Sequence, residues 1–161
     1  MASWTVSTAP TDNRYSPGDT ISMRMGVAKI YKGDMVIKKT DGYVYQAYNA
    51  GAVGDQFCGV AAETVDNTLG AAGDKQIKVW LEGTFEFALA AAGNINAILG
   101  VIAYVEDGSV GAGTPTTVTI TAPAAQPMIA GRIVDLIPVG GAYTACVRCR
   151  VRISAFSAIA A

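Results

Sequence analysis

The chain has no histidine at all. That removes the usual general base, the commonest metal ligand and the side chain that titrates near neutral pH. Charge is scarce as well: 16% of the 161 residues are charged, and the formal net charge is −1. No global field draws such a chain to nucleic acid or to an anionic membrane, so neither is expected as a partner. No apolar run reaches the roughly 18 residues that suggest a bilayer span. The first residues, Met-Ala-Ser-Trp-Thr-Val, lack the basic and apolar regions of a secretory signal.

Cysteine is sparse and odd in number: Cys58, Cys146 and Cys149. With no secretory signal this points to reduced thiols made in a cytoplasm. Cys146 and Cys149 form a C-x-x-C. In a regular strand, residues three apart face opposite sides, so the pair is not expected to converge on one metal. No cofactor is expected.

What the sequence does have is apolar and small residues: 51% hydrophobic, with 18 glycines. A chain this long buries about 70% of its unfolded surface as a folded domain. The stretch 30–89 shows how. Short β-type runs follow one another, divided by Gly33-Asp34, Asp41-Gly42, Asp66-Asn67 and Glu82-Gly83 turns. The pattern predicts an all-β fold, a small β-barrel or sandwich.

Residues 1–25 differ from the rest. They are rich in Ser and Thr, with Asn13, Pro10 and Pro17 among them, and they carry Trp4 and Tyr15 as their large aromatics. They are expected to form an extended arm, with 26–161 as the barrel domain. The arm is either a frayed end or a segment that orders on a partner through Trp4 and Tyr15.

Strands are expected at 31–38, 43–48, 57–62 and 76–82, and again at 84–89, 100–105, 116–121 and 129–137. At 76–82, Ile77, Val79 and Leu81 alternate with Lys78, Trp80 and Glu82, which places Trp80 toward solvent or a neighbour. The one helical candidate is 88–99; Gly93-Asn94 interrupts it, so a helical turn or an irregular connection is expected there. The final strand alternates most clearly. Tyr143, Ala145, Val147, Cys149, Val151 and Ile153 share one face, and Thr144, Cys146, Arg148, Arg150 and Arg152 the other. An echo runs through the chain: 32–36 and 58–61 are answered by 92–94, 100–103 and 129–134. Shared turn chemistry or an old duplication explains it.

Few residues suggest chemistry. Gly-rich loops near 70 and 111 lack the phosphate-cradle spacing and the following helix. Asp66, Asp74, Glu82, Glu86, Glu106 and Asp107 read as turn and solvent-face carboxylates rather than a glycosidase pair. The chain is therefore expected not to be an enzyme. Arg148, Arg150 and Arg152 form either a solvated face paired with carboxylates across the ladder or an interface stripe.

The run YKGDMVIKKTDGYVY at 31–45, GVAAE at 59–63, KVWLEGTFEF at 78–87 and the closing VRCRVRI at 147–153 together resemble capsid cement proteins. These are the head decoration proteins of tailed bacteriophages. The resemblance covers residues 28–153 and is one of layout. It implies a small β-barrel or β-tulip fold and a non-enzymatic role on the outer surface of the virion. It also implies binding to the major capsid protein, usually as a homotrimer. The chain departs from the family in its longer N-terminal segment and in an insertion at 106–127. On this reading the contact residues are Trp4 and Tyr15 of the arm, then Trp80 and the Arg148, Arg150 and Arg152 face. Two other readings carry different partners: another virion subunit of a tail or head fibre, and a carbohydrate-binding β-sandwich using Tyr43, Tyr45 and Tyr48.

Overall fold

The computed structural model describes residues 20–48, 52–107, 116–123, 127–138, 140–141, 146–153, 155 and 157–158. Trp4, Tyr15 and most of the expected arm lie outside the described residues, as do the Gly-rich loop near 111 and the start of the last strand at 143–145. The fold is all-β, with a closed barrel, as the turn-divided runs predict.

The first unit contains β1 (Thr20–Arg24), β2 (Lys29–Ile30), β3 (Met35–Lys38), β4 (Val44–Gln46), β5 (Gln56–Ala61), β6 (Val65–Asp66) and β7 (Gln76–Trp80). Its main sheet runs β1-β7-β5-β3-β4. The sheet rolls until Met25, just past β1, bridges Val44 of β4 in parallel. The second unit contains β8 (Thr84–Gly93), α1 (Ile95–Ile98), β9 (Ile102–Asp107), β10 (Thr117–Thr119), β11 (Ile129–Ile137) and β12 (Cys146–Ile153). It closes as β10-β8-β12-β11-β9, with β10 parallel to β8. A last strand, β13 (Ser157–Ala158), returns to pair with β5.

The second unit repeats the first strand for strand: β8 answers β1, β9 answers β3, β10 answers β4, β11 answers β5 and β12 answers β7. The backbone bonds agree in detail. Gly33 N–H donates to the Ala61 carbonyl and Gly100 N–H to the Ile133 carbonyl, both at 2.8 Å. Ala61 and Ile133 N–H then donate back to the Asp34 and Val101 carbonyls, at 2.9 and 3.0 Å. Val60 lies opposite Trp80 in one unit, and Arg132 opposite Arg152 in the other. The parallel closures also match, Met25 with Val44 and Leu89 with Val118. At the bulge in each unit a glycine is forced by close approach. A Cβ on Gly59 would lie 1.9 Å from the Trp80 carbonyl oxygen, and one on Gly131 would lie 2.0 Å from that of Arg152. The echo of 58–61 in 129–134 is thus structural, and Gly33 finds its equivalent at Gly100. The 92–94 echo falls at the end of β8 instead.

Equivalent positions fill the two interiors. Met25, Val36, Val44, Cys58, Ala61 and Val79 pack inside the first unit. Leu89, Ala103, Val118, Ala130, Ile133 and Val151 take their places in the second. The first unit is also apolar outside. Met35, Ile37, Phe57 and Val60 join the cluster that fills the second barrel. Of its strands, β3 and β5 are therefore covered on both faces, which is why Met35-Val36-Ile37 and Phe57-Cys58 do not alternate.

Two expectations are revised. In 88–99 the expected helical turn is α1, capped by the Asn94 side chain, but the residues before it are strand: β8 continues to Gly93, paired with Cys146. The clean alternation of the last strand also breaks. A register shift between Cys146 and Arg148 turns Cys146 inward and leaves Val147 49% exposed.

Candidate functional site

The outer face of β12 carries the three arginines, and the structure divides them. Arg148 forms an ion pair with Glu86 of β8, and Arg150 forms one with Asp135 of β11. Glu86 is only 5% exposed, so the sequence reading of it as a solvent-face carboxylate is corrected. The Arg148 side chain lies across it and supplies the opposite charge that such burial requires. These two arginines hold adjacent strands together.

Arg152 is placed differently. It is exposed, with Thr84 opposite on β8 and Arg132 opposite on β11. Arg132 donates from Nη1 to the Gly100 carbonyl at 3.0 Å. Among the described residues neither Arg132 nor Arg152 has a carboxylate within ion-pair distance. Arg132 and Arg152 line a groove of about 450 Å³ on the barrel wall, whose apolar sides come from Ile102, Ile129 and Val134. Gly131 lets the β11 backbone meet the Arg152 carbonyl, so no side chain fills the floor there. The groove is partly open, neither an enclosed cavity nor a flat face.

Alternation on β12 marks Arg152 in the sequence, but it leaves Arg132, Ile102, Ile129 and Val134 unmarked. The signal lay in the echo. Aligning 58–61 with 130–133 sets Arg132 against Val60, a charge where its counterpart is apolar.

Trp80 points outward from its own sheet, and of the two expected surroundings, solvent or a neighbour, it meets a neighbour. It is partly buried and packs on the same cluster as Phe57 and Val60. The alternation is real: Gln76 and Lys78 on the outward face of β7 are exposed, and only Trp80 at its end meets the second unit. Trp4 and Tyr15 lie outside the described residues.

The tyrosine cluster is occupied by its own neighbours. The Lys39 ammonium lies 4.5 Å from the Tyr45 ring centre and 5.2 Å from that of Tyr48, so ring faces that a sugar would stack on already carry a cation. Tyr45 donates its hydroxyl to Asp41 at 2.8 Å. The Tyr43 N–H, and then that hydroxyl, hold the Asp41 carboxyl below its usual range. The Thr68 hydroxyl and N–H do the same for Asp66. Buried Asp34 accepts from the Tyr31 N–H and from Gln46 Nε2, at 2.9 and 2.7 Å. Buried Asp55 accepts from the Ala52 N–H at 2.9 Å. Each of these carboxylates pins a turn.

All three thiols are free and buried. Desolvation pushes Cys58 up to about 11 and Cys149 up to about 12, so neither is a ready nucleophile. The bulge places Cys146 and Cys149 on the inner side together, which corrects the opposite-face expectation. Among the described residues no three His, Cys, Asp or Glu side chains gather as a metal site. No helix there is long and apolar enough to cross a membrane. A scan against protein-family models finds no match, and a search of the curated proteins finds none either.

Proposed function

We propose that this chain is a capsid decoration protein. It binds the outer surface of a phage major capsid protein lattice, acts as a homotrimer and makes or breaks no covalent bond. The observation that carries the reading is the open, arginine-bordered apolar groove on the barrel wall, a surface of the composition found in protein interfaces. The layout of 28–153 supports it through its likeness to cement proteins. The role needs only adhesion. A filled shell is under outward pressure, and an oligomer that bridges several subunits converts separate weak contacts into one strong attachment.

The arm has a natural place in this reading. β1 ends the strand order of its sheet, with only Met25 beyond it bridging back to β4, and residues 1–19 lead into it. An extended segment there adds a strand to a neighbour's sheet edge through main-chain hydrogen bonds. Trp4 and Tyr15 are its anchors.

The test is cosedimentation of the purified chain with expanded empty shells. Saturable binding at a fixed ratio of chains to capsid subunits is expected. Shells that pellet bare at micromolar chain end the reading. Deleting residues 2–20 is expected to lower occupancy, and unchanged occupancy removes the arm from the contact.

A further inference from the structure

The groove on the second barrel has an equivalent on the first, and there it is already an interface. Ile102, Ile129, Arg132 and Arg152 occupy the positions of Met35, Phe57, Val60 and Trp80. In the first barrel that face is sealed: Met35, Phe57 and Val60 are fully buried in the cluster shared with the second barrel, and Trp80 packs at its border. The first barrel thus presents this face to the barrel that follows it in the chain. In the second barrel the same face stands open.

We propose that the groove docks the first barrel of a second copy of this chain, head to tail, and that three copies close into a ring of six barrels. The count of three rests on the homotrimer of the reading above; the docking face rests on the internal repeat. A head-to-tail contact repeats the same junction at each step and closes into a ring when the rotation allows. A chain carrying the same unit twice has one such junction built in, and the open groove is the half-junction left over.

The charges point the same way. Arg132 and Arg152 are direct cross-strand partners, and like charges so placed are unfavourable. Arg148 and Arg150 on the same face each have a carboxylate. The mismatch at Arg132 and Arg152 is relieved when a neighbour brings a carboxylate between them. The substitutions also suit an interface that must stay soluble before assembly. Val60 and Trp80 seal a contact that never opens. Arginine at the same two positions keeps a separating contact wet and is favoured in interfaces.

The experiment is sedimentation of the full chain across concentration, for wild type, an Arg132→Glu/Arg152→Glu double variant and Val134→Asp. Val134 is 44% exposed in the groove, so its variant keeps the test alive if the double variant folds poorly. Wild type is expected at the mass of three chains. Both variants are expected to associate at least roughly 100-fold more weakly and to sediment as single folded chains. A wild type of one or two chains, or variants that keep the three-chain mass, overturns the proposal. Shell cosedimentation on the same samples separates the two claims. Three chains that ignore shells leave this interface standing and end the decoration reading. A single-chain wild type that coats shells ends this interface and the homotrimer, and leaves the shell-binding part of the decoration reading. Variants that lose shells while keeping their mass give the groove to the shell.

Discussion

The two barrels share strand order, register and glycine placement, yet they treat one outer face in opposite ways. In the first barrel Met35, Phe57 and Val60 are fully buried there. In the second, Arg132 and Arg152 are exposed at the matching edge. Their interiors are alike in kind: each holds aliphatic side chains and at least one buried thiol. The comparison separates two demands on one sequence. Closing a barrel constrains the inward residues of every strand and the two bulge glycines. Joining barrels constrains only the outward residues of β3, β5 and β7 or their counterparts, and there the copies have diverged.

The largest expected effect comes from exchanging residues across that divide. Val60→Arg places a guanidinium at a site with no exposure, so it buries an unpaired charge and overpacks the junction. A loss of about 4 kcal/mol or more is expected in urea unfolding, enough to unfold many domains of this size. The reverse exchange, Arg132→Val, removes one of two facing cations from an exposed site and is expected to change stability by less than about 1 kcal/mol. Equal losses for the two exchanges break the equivalence between the faces.

A second pair of substitutions works within β12. Glu86→Gln strips the charge from a carboxylate that is almost fully buried beside Arg148, whose side chain is 20% exposed. Removing one partner of a buried pair costs about 3 kcal/mol when the other is fully enclosed, and partial exposure of Arg148 lowers this to about 2. Arg152→Ala is expected within about 0.5 kcal/mol of wild type, because no pair is lost. Thermal melts of the two variants, at a concentration where both are single chains, give the contrast directly.

The thiols give a smaller, pH-dependent contrast. Cys58 belongs to the first interior and Cys149 to the second, and both are raised, to about 11 and about 12, chiefly by desolvation. A raised thiol leaves the native state holding a proton that the unfolded chain has already lost. Stability is therefore full below the ordinary thiol value near 9 and falls as pH climbs from there toward the folded values. Removing the Cys149 contribution by Cys149→Ala is expected to flatten the alkaline loss by about 2–3 kcal/mol at pH 11, measured against the variant's own stability at pH 8. An unchanged slope means that the thiol is already solvated at neutral pH.

Much of the fold was legible in the sequence because turns and alternation are local. Asp41-Gly42 marks the β3–β4 hairpin, and the 129–137 run coincides with β11. The misses have non-local causes. The 88–99 segment is alanine-rich and favours helix by itself, yet β12 supplies ladder partners along β8 up to Gly93. The bulge that turns Cys146 inward depends on a neighbouring strand, so period-two counting passes over it. Trp80 reads as outward, which it is with respect to its own barrel, but no alternation rule reports that a second barrel covers that side. The groove was half visible: Arg152 through alternation, and Arg132 only through the repeat.

The smallest effect tests whether the arginine pair is frustrated in the single chain. Arg152→Glu converts a like-charged cross-strand pair into an attractive one with Arg132, while Thr84 on the other side stays neutral. Cross-strand ion pairs are worth about 0.2–1 kcal/mol, and this one is exposed, so a gain of about 0.5 kcal/mol is expected, shrinking as salt rises. The same substitution is expected to weaken self-association. A variant more stable as a single chain yet poorer at assembling is what a residue kept for contact predicts. A variant that loses both stability and assembly makes Arg152 a structural residue of its own barrel, and the difference between the two outer faces then carries no interface.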